Sequence, residues 1–314
     1  FRLFASLCVV AIHTSSSLFT GSLATFAVPF FMMITGYFFF NDLPTDKAAQ
    51  ILRLKRYEKN LCVIWLFWMI VYIPNMMLTL KGESLSVIVA KALRGFVGIS
   101  PNYLGSWYLP ATMFGLWFCY QFVAKMRFKL LAISAVLTYV LAALASVYSK
   151  VVSSDDLIGK IITFVRPKNF LEIGIIWIAL AVYFVYHQET LKKAFKPWWV
   201  VLSGGLLFLE HLVMTHFHVA YMTGLYVTLI LFSLSLFVMM FKVKLSFSEA
   251  TCDKLRNLST LMFFLQFYAI AVVARFTQFG IQRFLAAIFI IVIIAFTIMK
   301  LSTYKLFKWL KWGY

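Results

Sequence analysis

Charged residues are scarce in this chain, and acidic residues are the scarcest. Only 13% of the residues are charged, with 11 acidic against 29 basic side chains, while 63% are hydrophobic. A soluble domain is about a quarter charged and about half apolar, so this composition excludes an ordinary soluble protein. The sequence therefore predicts an integral membrane protein, and 314 residues suffice for about ten spans of ~20 residues with short loops.

Cysteine and histidine are also few. The four cysteines, Cys8, Cys62, Cys119 and Cys252, show no CxxC or metal-ligand spacing, and no two histidines stand four residues apart. We therefore predict no structural disulfide and no metal site. No basic-plus-aromatic motif of a nucleic-acid module is present, so the basic excess predicts the lipid bilayer as partner rather than nucleic acid.

The apolar segments predict an all-α polytopic membrane protein with about ten transmembrane helices, forming a single membrane domain over 1–314. The predicted spans lie near 1–20, 22–41, 58–80, 104–124, 128–148, 169–188, 197–217, 219–242, 257–278 and 282–303. If the N-terminus is inside, the inner loops carry about twice as many basic residues as the outer loops. This bias predicts that both termini are cytoplasmic. In the long outer connection 81–103, apolar residues at helical spacing predict an amphipathic helix.

Arg2 and His13 are the two basic side chains in the apolar N-terminal segment. They are eleven residues apart, which places them on one helix face about 16 Å apart along the axis. An arginine at the helix end can hold a phosphate or carboxylate, and a buried histidine can act as a general base. The alternative is that Arg2 reaches lipid headgroups and His13 bonds a neighbouring carbonyl.

The polar residues Thr14–Ser17 follow His13 directly. They can line a wet cavity or simply mark the exit from the span. In the second span, Pro29 and Gly36 can bend or break the helix, or allow a close approach of another helix.

Further candidates for ligand binding lie on later segments. Arg53 and Arg56 precede the third span, where they anchor topology or bind an anionic ligand. Trp107, at the start of the fourth span, is typical of a membrane interface or a cavity mouth. Glu210 lies deep in the seventh span, where a carboxylate must be paired, hydrated or protonated, so we predict a cavity role for it.

These motifs, in this order, resemble the acyltransferase-3 family of membrane proteins. The matching residues are Arg2 with His13, Val28-Pro29-Phe30-Phe31-Met32-Met33-Ile34-Thr35-Gly36-Tyr37, Arg53-Leu54-Lys55-Arg56 and Ser106-Trp107-Tyr108-Leu109-Pro110-Ala111. Within that family the chain is most similar to the membrane half of VanT-type serine racemases of vancomycin-resistant enterococci. Arg166 with Asn169 and Phe170, and Glu210, add to this second resemblance, which implies a ligand-binding role for Arg166. The chain departs from these relatives at Gln266, where they carry a histidine.

The resemblance implies a location in a bacterial cell membrane and two alternative functions. In the first, the chain binds or transports L-serine for D-serine synthesis, with Glu210 facing the ammonium group and an arginine facing the carboxylate. The relatives then continue, after a position equivalent to 314, into a covalently linked racemase domain that holds pyridoxal phosphate, and a dimer is compatible with this organisation. In the second, the chain is an O-acyltransferase that uses acetyl-CoA, with His13 as base and Arg2 and the Arg53–Arg56 cluster on the donor phosphates. Otherwise no cofactor is expected in these residues, and no racemase activity.

Overall fold

The computed structural model describes residues 1–15, 17–96, 107–148, 173–217, 224–243 and 246–314. These ranges contain helices and no β-strand, so the predicted all-helical class is confirmed for them. The helices are α1 Arg2–Thr14, α2 Leu18–Gly21, α3 Ala27–Phe40, α4 Lys47–Val71, α5 Ile73–Thr79, α6 Leu85–Phe96, α7 Tyr108–Val123, α8 Phe128–Ala145, α9 Ile173–Ala194, α10 Trp198–His216, α11 Leu229–Lys242, α12 Glu249–Val273 and α13 Ile281–Leu301. Two 3₁₀ helices cover Leu23–Phe26 and Lys305–Gly313.

Six segments of the described chain are long and apolar enough to cross a membrane. They are Phe19–Phe40, Phe128–Ala145, Ile173–Ala194, Trp198–His216, Glu249–Val273 and Ile281–Leu301. They support a polytopic membrane protein, whereas the predicted count of about ten spans is not confirmed. The cytoplasmic placement of both termini stays a prediction.

Helix length and proline account for three of the four predicted spans that are not among these six; the fourth, 104–124, begins outside the described residues. α1 has 13 residues and α11 has 14, which at ~1.5 Å per residue gives about 20 Å, less than a hydrocarbon core of ~30 Å. The predicted span 58–80 is divided, because α4 ends at Val71 and α5 begins at Ile73. Pro74 lacks the N–H needed to continue α4 but suits the first turn of a new helix.

Side-chain caps explain where two long helices begin. The Asp46 carboxylate accepts a hydrogen bond from the Ala49 N–H at 2.8 Å, and the Ser248 hydroxyl accepts one from the Thr251 N–H at 3.3 Å. Each satisfies a backbone donor that has no partner inside the helix. The amphipathic helix predicted in 81–103 is present as α6, whereas the lidding role considered for it stays a prediction.

Pro29 does not interrupt the second apolar segment. It lies in the first turn of α3, where a missing N–H has no consequence. Gly36 lies within α3 and serves close packing, because a Cβ at Gly36 would be 2.9 Å from the Ala181 Cβ on α9.

The described chain divides into two compact units, which both lie inside the predicted membrane domain 1–314. That residues 1–314 form a single domain stays a prediction. The first unit comprises Phe1–Phe31, Phe195–Val213 and Thr228–Tyr314. In it, α12 packs against both α1 and α13, and α11 packs against the 3₁₀ helix Leu23–Phe26. The hydroxyls of Ser203 and Ser235, 2.8 Å apart, join α10 to α11.

The second unit comprises Met32–Ala194 and Met214–Val227. Its centre is α9, which packs against α7 and α8. The backbones of α7 and α9 touch at glycines, since a Cβ at Gly174 would be only 1.9 Å from the Ala111 carbonyl oxygen. Buried Tyr139 adds a hydrogen bond from its hydroxyl to the Tyr226 carbonyl at 2.6 Å.

Candidate functional site

His13 on α1 packs against α12, on which Gln266 is fully buried. The Ser6 hydroxyl lies 2.8 Å from the Ser259 carbonyl oxygen, and the ring centres of His13 and Phe267 are 4.9 Å apart. Contacts that advance by seven or eight residues on both helices show that α1 and α12 run in the same direction. Gln266 stands seven residues after Ser259, as His13 does after Ser6, so both point into the α1–α12 interface one heptad further along.

Both side chains keep unused polar atoms in this interface. Gln266 is fully buried, and its Nε2 donates to the Phe263 carbonyl at 2.7 Å, but its Oε1 has no hydrogen bond within the described residues. Neither ring nitrogen of His13 has one in the same ranges, where its contact is edge-on with Phe267. A buried acceptor without a partner costs free energy, so native proteins retain few of them. The pair is therefore the strongest candidate for chemistry in the first unit.

The Ser/Thr-rich segment after His13 is a hydrogen-bonded turn. The Thr14 hydroxyl donates to the Val10 carbonyl at 2.8 Å, and the Thr20 hydroxyl accepts from the Ser17 N–H at 2.8 Å. The Thr20 oxygen also lies 2.9 Å from the Ser15 carbonyl. Local partners for these groups favour the exit from the helix over a wet cavity, at those of these residues that the structure describes.

The connection between α12 and α13 is fixed onto the end of α1. The Gly280 N–H donates to the Thr14 carbonyl at 2.8 Å, with the glycine at φ 142°, a backbone conformation that side chains disfavour. Arg283 follows, with its guanidinium 5.4 Å from the Phe279 ring centre and donating to the Thr277 carbonyl at 2.7 Å. No sequence motif pointed to Arg283, because its contacts with Thr277 and Phe279 depend on how this connection folds.

Glu210 has a structural partner in the first unit. Its carboxylate accepts a hydrogen bond from the Thr228 N–H at 2.8 Å and a second one from the Thr228 hydroxyl. Thr228 immediately precedes α11, so the negative charge lies at the positive end of that helix. A carboxylate in an apolar segment was expected to be paired, hydrated or protonated, and Glu210 is paired with the N-terminus of α11.

His211 packs on the turn that follows α1. The imidazole is buried against Gly21, where an added Cβ would lie 2.6 Å from its Cε1 atom. Any larger residue at position 21 would displace this ring. His218 lies outside the described residues, and groups of three metal-ligating side chains are absent from the ranges that are described. The absence of a metal stays a prediction.

Arg53 stabilises the end of α3 in the second unit. Its Nε donates to the Phe39 carbonyl at 3.1 Å and its NH2 group to the Phe38 carbonyl at 2.6 Å, while Asp42 lies 3.7 Å away. A cation at a helix C-terminus interacts favourably with the unpaired carbonyls there. These hydrogen bonds give the Arg53 guanidinium a structural role.

The other predicted ligand-binding residues are distributed over both units. Arg2 is the first residue of α1 and half-buried, so it shares that helix with His13 as predicted. Arg56 is exposed on α4, and Trp107 immediately precedes α7. Arg166 lies in 149–172, outside the described residues. The structure therefore unites Arg2 and His13 on one helix, and their roles as ligands stay predictions.

Comparison with known proteins identifies the family. A model of the acyltransferase-3 type, described as an acyltransferase domain, matches residues 1–302. Two proteins of Enterococcus faecalis, each called amino-acid racemase, are also similar. One is 26% identical over 225 residues, which is 66% of this chain and 32% of that protein, and the other is 27% identical over 165 residues, or 49% and 22%.

The aligned part of this chain thus spans about a third or less of the length of these racemases. No solved structure matches the chain. The match to the acyltransferase domain extends over nearly all of the sequence and includes Arg2, His13 and Gln266. The chain belongs to the acyltransferase-3 family.

Proposed function

We propose that the chain is a membrane O-acyltransferase in which His13 acts as the general base. The observation that carries this proposal is the imidazole of His13, whose ring nitrogens have no hydrogen bond within the described residues. The imidazole contacts Phe267, which follows buried Gln266, and the Oε1 of Gln266 also has no hydrogen bond in those ranges. An acceptor hydroxyl would give its proton to one ring nitrogen. Its oxygen would attack the thioester carbonyl of the donor, and the carbon–sulfur bond would break to release the thiolate of coenzyme A, which takes up the proton.

The arrangement of α1 suits an elongated donor such as acetyl-CoA. Arg2 and His13 lie on one face about 16 Å apart, so a donor aligned with the helix could place its phosphates at Arg2 and its thioester at His13. We therefore assign the donor phosphates to Arg2. Arg53, which belongs to the second unit, already donates to the end of α3.

A second candidate function is binding or transport of L-serine across a bacterial cell membrane. Its support is the similarity to the two proteins called amino-acid racemase. In this hypothesis Glu210 would bind the ammonium group of serine. The carboxylate of Glu210 is engaged with Thr228, so a serine would have to replace that helix cap. For this reason the geometry supports acyl transfer better.

The two functions can be separated with the chain reconstituted in lipid vesicles. We expect acetyl-CoA to bind, and coenzyme A to be released when cell-envelope material is added as acceptor. His13→Gln should abolish release and retain binding, while Arg2→Gln should weaken binding. His216→Gln is the matched control, because His216 is an exposed histidine at the end of α10. Release that survives in His13→Gln would contradict the proposal, and uptake of radiolabelled serine without acetyl-CoA binding would favour the second candidate.

A further inference from the structure

A groove runs between α4 and α7 in the second unit. The two helices are antiparallel, because the Tyr120 hydroxyl near the end of α7 donates to the Gln50 Oε1 near the start of α4 at 3.3 Å. The groove has a volume of about 630 Å³, which is within the range of small-molecule sites. It belongs to neither the α1–α12 site nor the Glu210 cap.

The α4 side of the groove changes from charged to apolar along the helix. Lys55, Glu58 and Lys59 line its first part, and Cys62 and Trp65 line the second. Spacings of three and four residues put all five on one face of α4. The exposed Trp117 lies on the opposite wall, on α7. The groove is therefore amphiphilic along its length.

The charges in the groove are not paired with one another. Lys55 and Lys59 are exposed and Glu58 is half-buried, and among the described residues none of the three takes part in a salt bridge. Two ammonium groups and one carboxylate leave a net positive charge. Such a set fits a monoanionic ligand that also carries hydrogen-bond donors.

We propose that this groove binds phosphatidylglycerol from the surrounding bilayer. Its phosphate accepts hydrogen bonds from Lys55 and Lys59, a glycerol hydroxyl donates to Glu58, and an acyl chain lies along Cys62 and Trp65. Phosphatidylcholine matches the site less well, because its headgroup is net neutral and has no hydrogen-bond donor for Glu58. The acyl chain supplies the apolar part of the ligand that the second half of the groove requires.

Alkylation of Cys62 tests this proposal with an internal control. Cys62 lines the groove, while Cys252 is exposed elsewhere and Cys8 and Cys119 are buried. The chain is reconstituted in vesicles of phosphatidylcholine alone or of an equimolar mixture with phosphatidylglycerol, and maleimide labelling is followed at both cysteines. We expect phosphatidylglycerol to slow labelling of Cys62 and to leave the labelling rate of Cys252 unchanged.

Substitutions identify the headgroup contacts. The pair Lys55→Gln/Lys59→Gln should lose the slowing by phosphatidylglycerol. The control pair Lys125→Gln/Lys129→Gln, exposed lysines just after α7 and in the first turn of α8, should keep it. Equal Cys62 rates in the two vesicle types, retention of the slowing in the first pair, or its loss in both pairs would each overturn the proposal.

Discussion

The contact between Glu210 and Thr228 distinguishes a structural carboxylate from a ligand-binding one. Thr228→Val keeps the side-chain shape and removes one hydrogen bond to Glu210, while the Thr228 N–H remains bonded. Loss of a helix-capping interaction costs about 0.5–2 kcal/mol. Glu210→Gln removes the charge at the start of α11, and a charge there contributes ~0.3–1 kcal/mol, up to about 2 when partly buried.

The two substitutions should not be additive, because they remove parts of one interaction. We expect each to cost about 1 kcal/mol in the free energy of unfolding, with a coupling energy of ~1 kcal/mol in the double variant. Titration with SDS from mixed micelles measures these free energies. Thr297→Val is the control, since the exposed Thr297 hydroxyl donates within its own helix to the Ile293 carbonyl at 2.8 Å; it should change little.

Two results would refute the structural role of Glu210. One is strict additivity of Thr228→Val and Glu210→Gln, which would mean that the carboxylate does not depend on Thr228. The other is unchanged stability in Glu210→Gln together with loss of serine uptake. Loss of a helix cap lowers the free energy of unfolding, whereas loss of a ligand group lowers uptake. A stability loss with unchanged acetyl-CoA turnover would agree with the arrangement described for Glu210.

Three further substitutions test packing and hydrogen bonding, each by the same SDS titration. Gly174→Ala should cost about 3 kcal/mol or more in the free energy of unfolding, at or above the usual overpacking range, because its Cβ would meet the Ala111 carbonyl at 1.9 Å. Gly205→Ala is the control, since Gly205 is exposed and a Cβ there would have nothing within 4 Å. It should be neutral or stabilising by up to ~1 kcal/mol. Arg53→Gln should cost about 1–2 kcal/mol through its bonds at the end of α3, and no loss would contradict them. Gln266→Leu should match or exceed wild-type stability, because it removes a buried acceptor whose desolvation costs ~1–3 kcal/mol.

Local sequence pattern was sufficient to predict that this chain forms helices, but not which helices pack against one another. The eleven-residue spacing of Arg2 and His13 correctly put both on one helix, since helical geometry depends only on the residues between them. The count of spans was less predictable. An apolar run shows where a helix is tolerated, whereas its ends depend on breaks such as Pro74 and the turn after Thr14.

Contacts between segments far apart in the sequence could not be predicted from residue spacing. The sequence predicted that Glu210 needs a partner, but Thr228 becomes that partner only through the packing of α10 near the start of α11. In the same way, the register that sets His13 against Phe267 joins residues more than 250 positions apart. For Arg53 the sequence predicted a topology anchor or an anionic ligand, and both stay predictions. Its hydrogen bonds to the last carbonyls of α3 follow only from the structure.

The discontinuous first unit has a consequence for synthesis of the protein in the cell. α1 leaves the ribosome before its packing partners α12 and α13, because synthesis proceeds from the N-terminus. Until α12 and α13 are made, His13 and the polar turn that follows it lack their contacts with these helices. A nascent chain that stops before Glu249 would leave these groups without α12 and α13, so the membrane quality-control machinery would encounter α1 as an apolar helix with exposed polar groups.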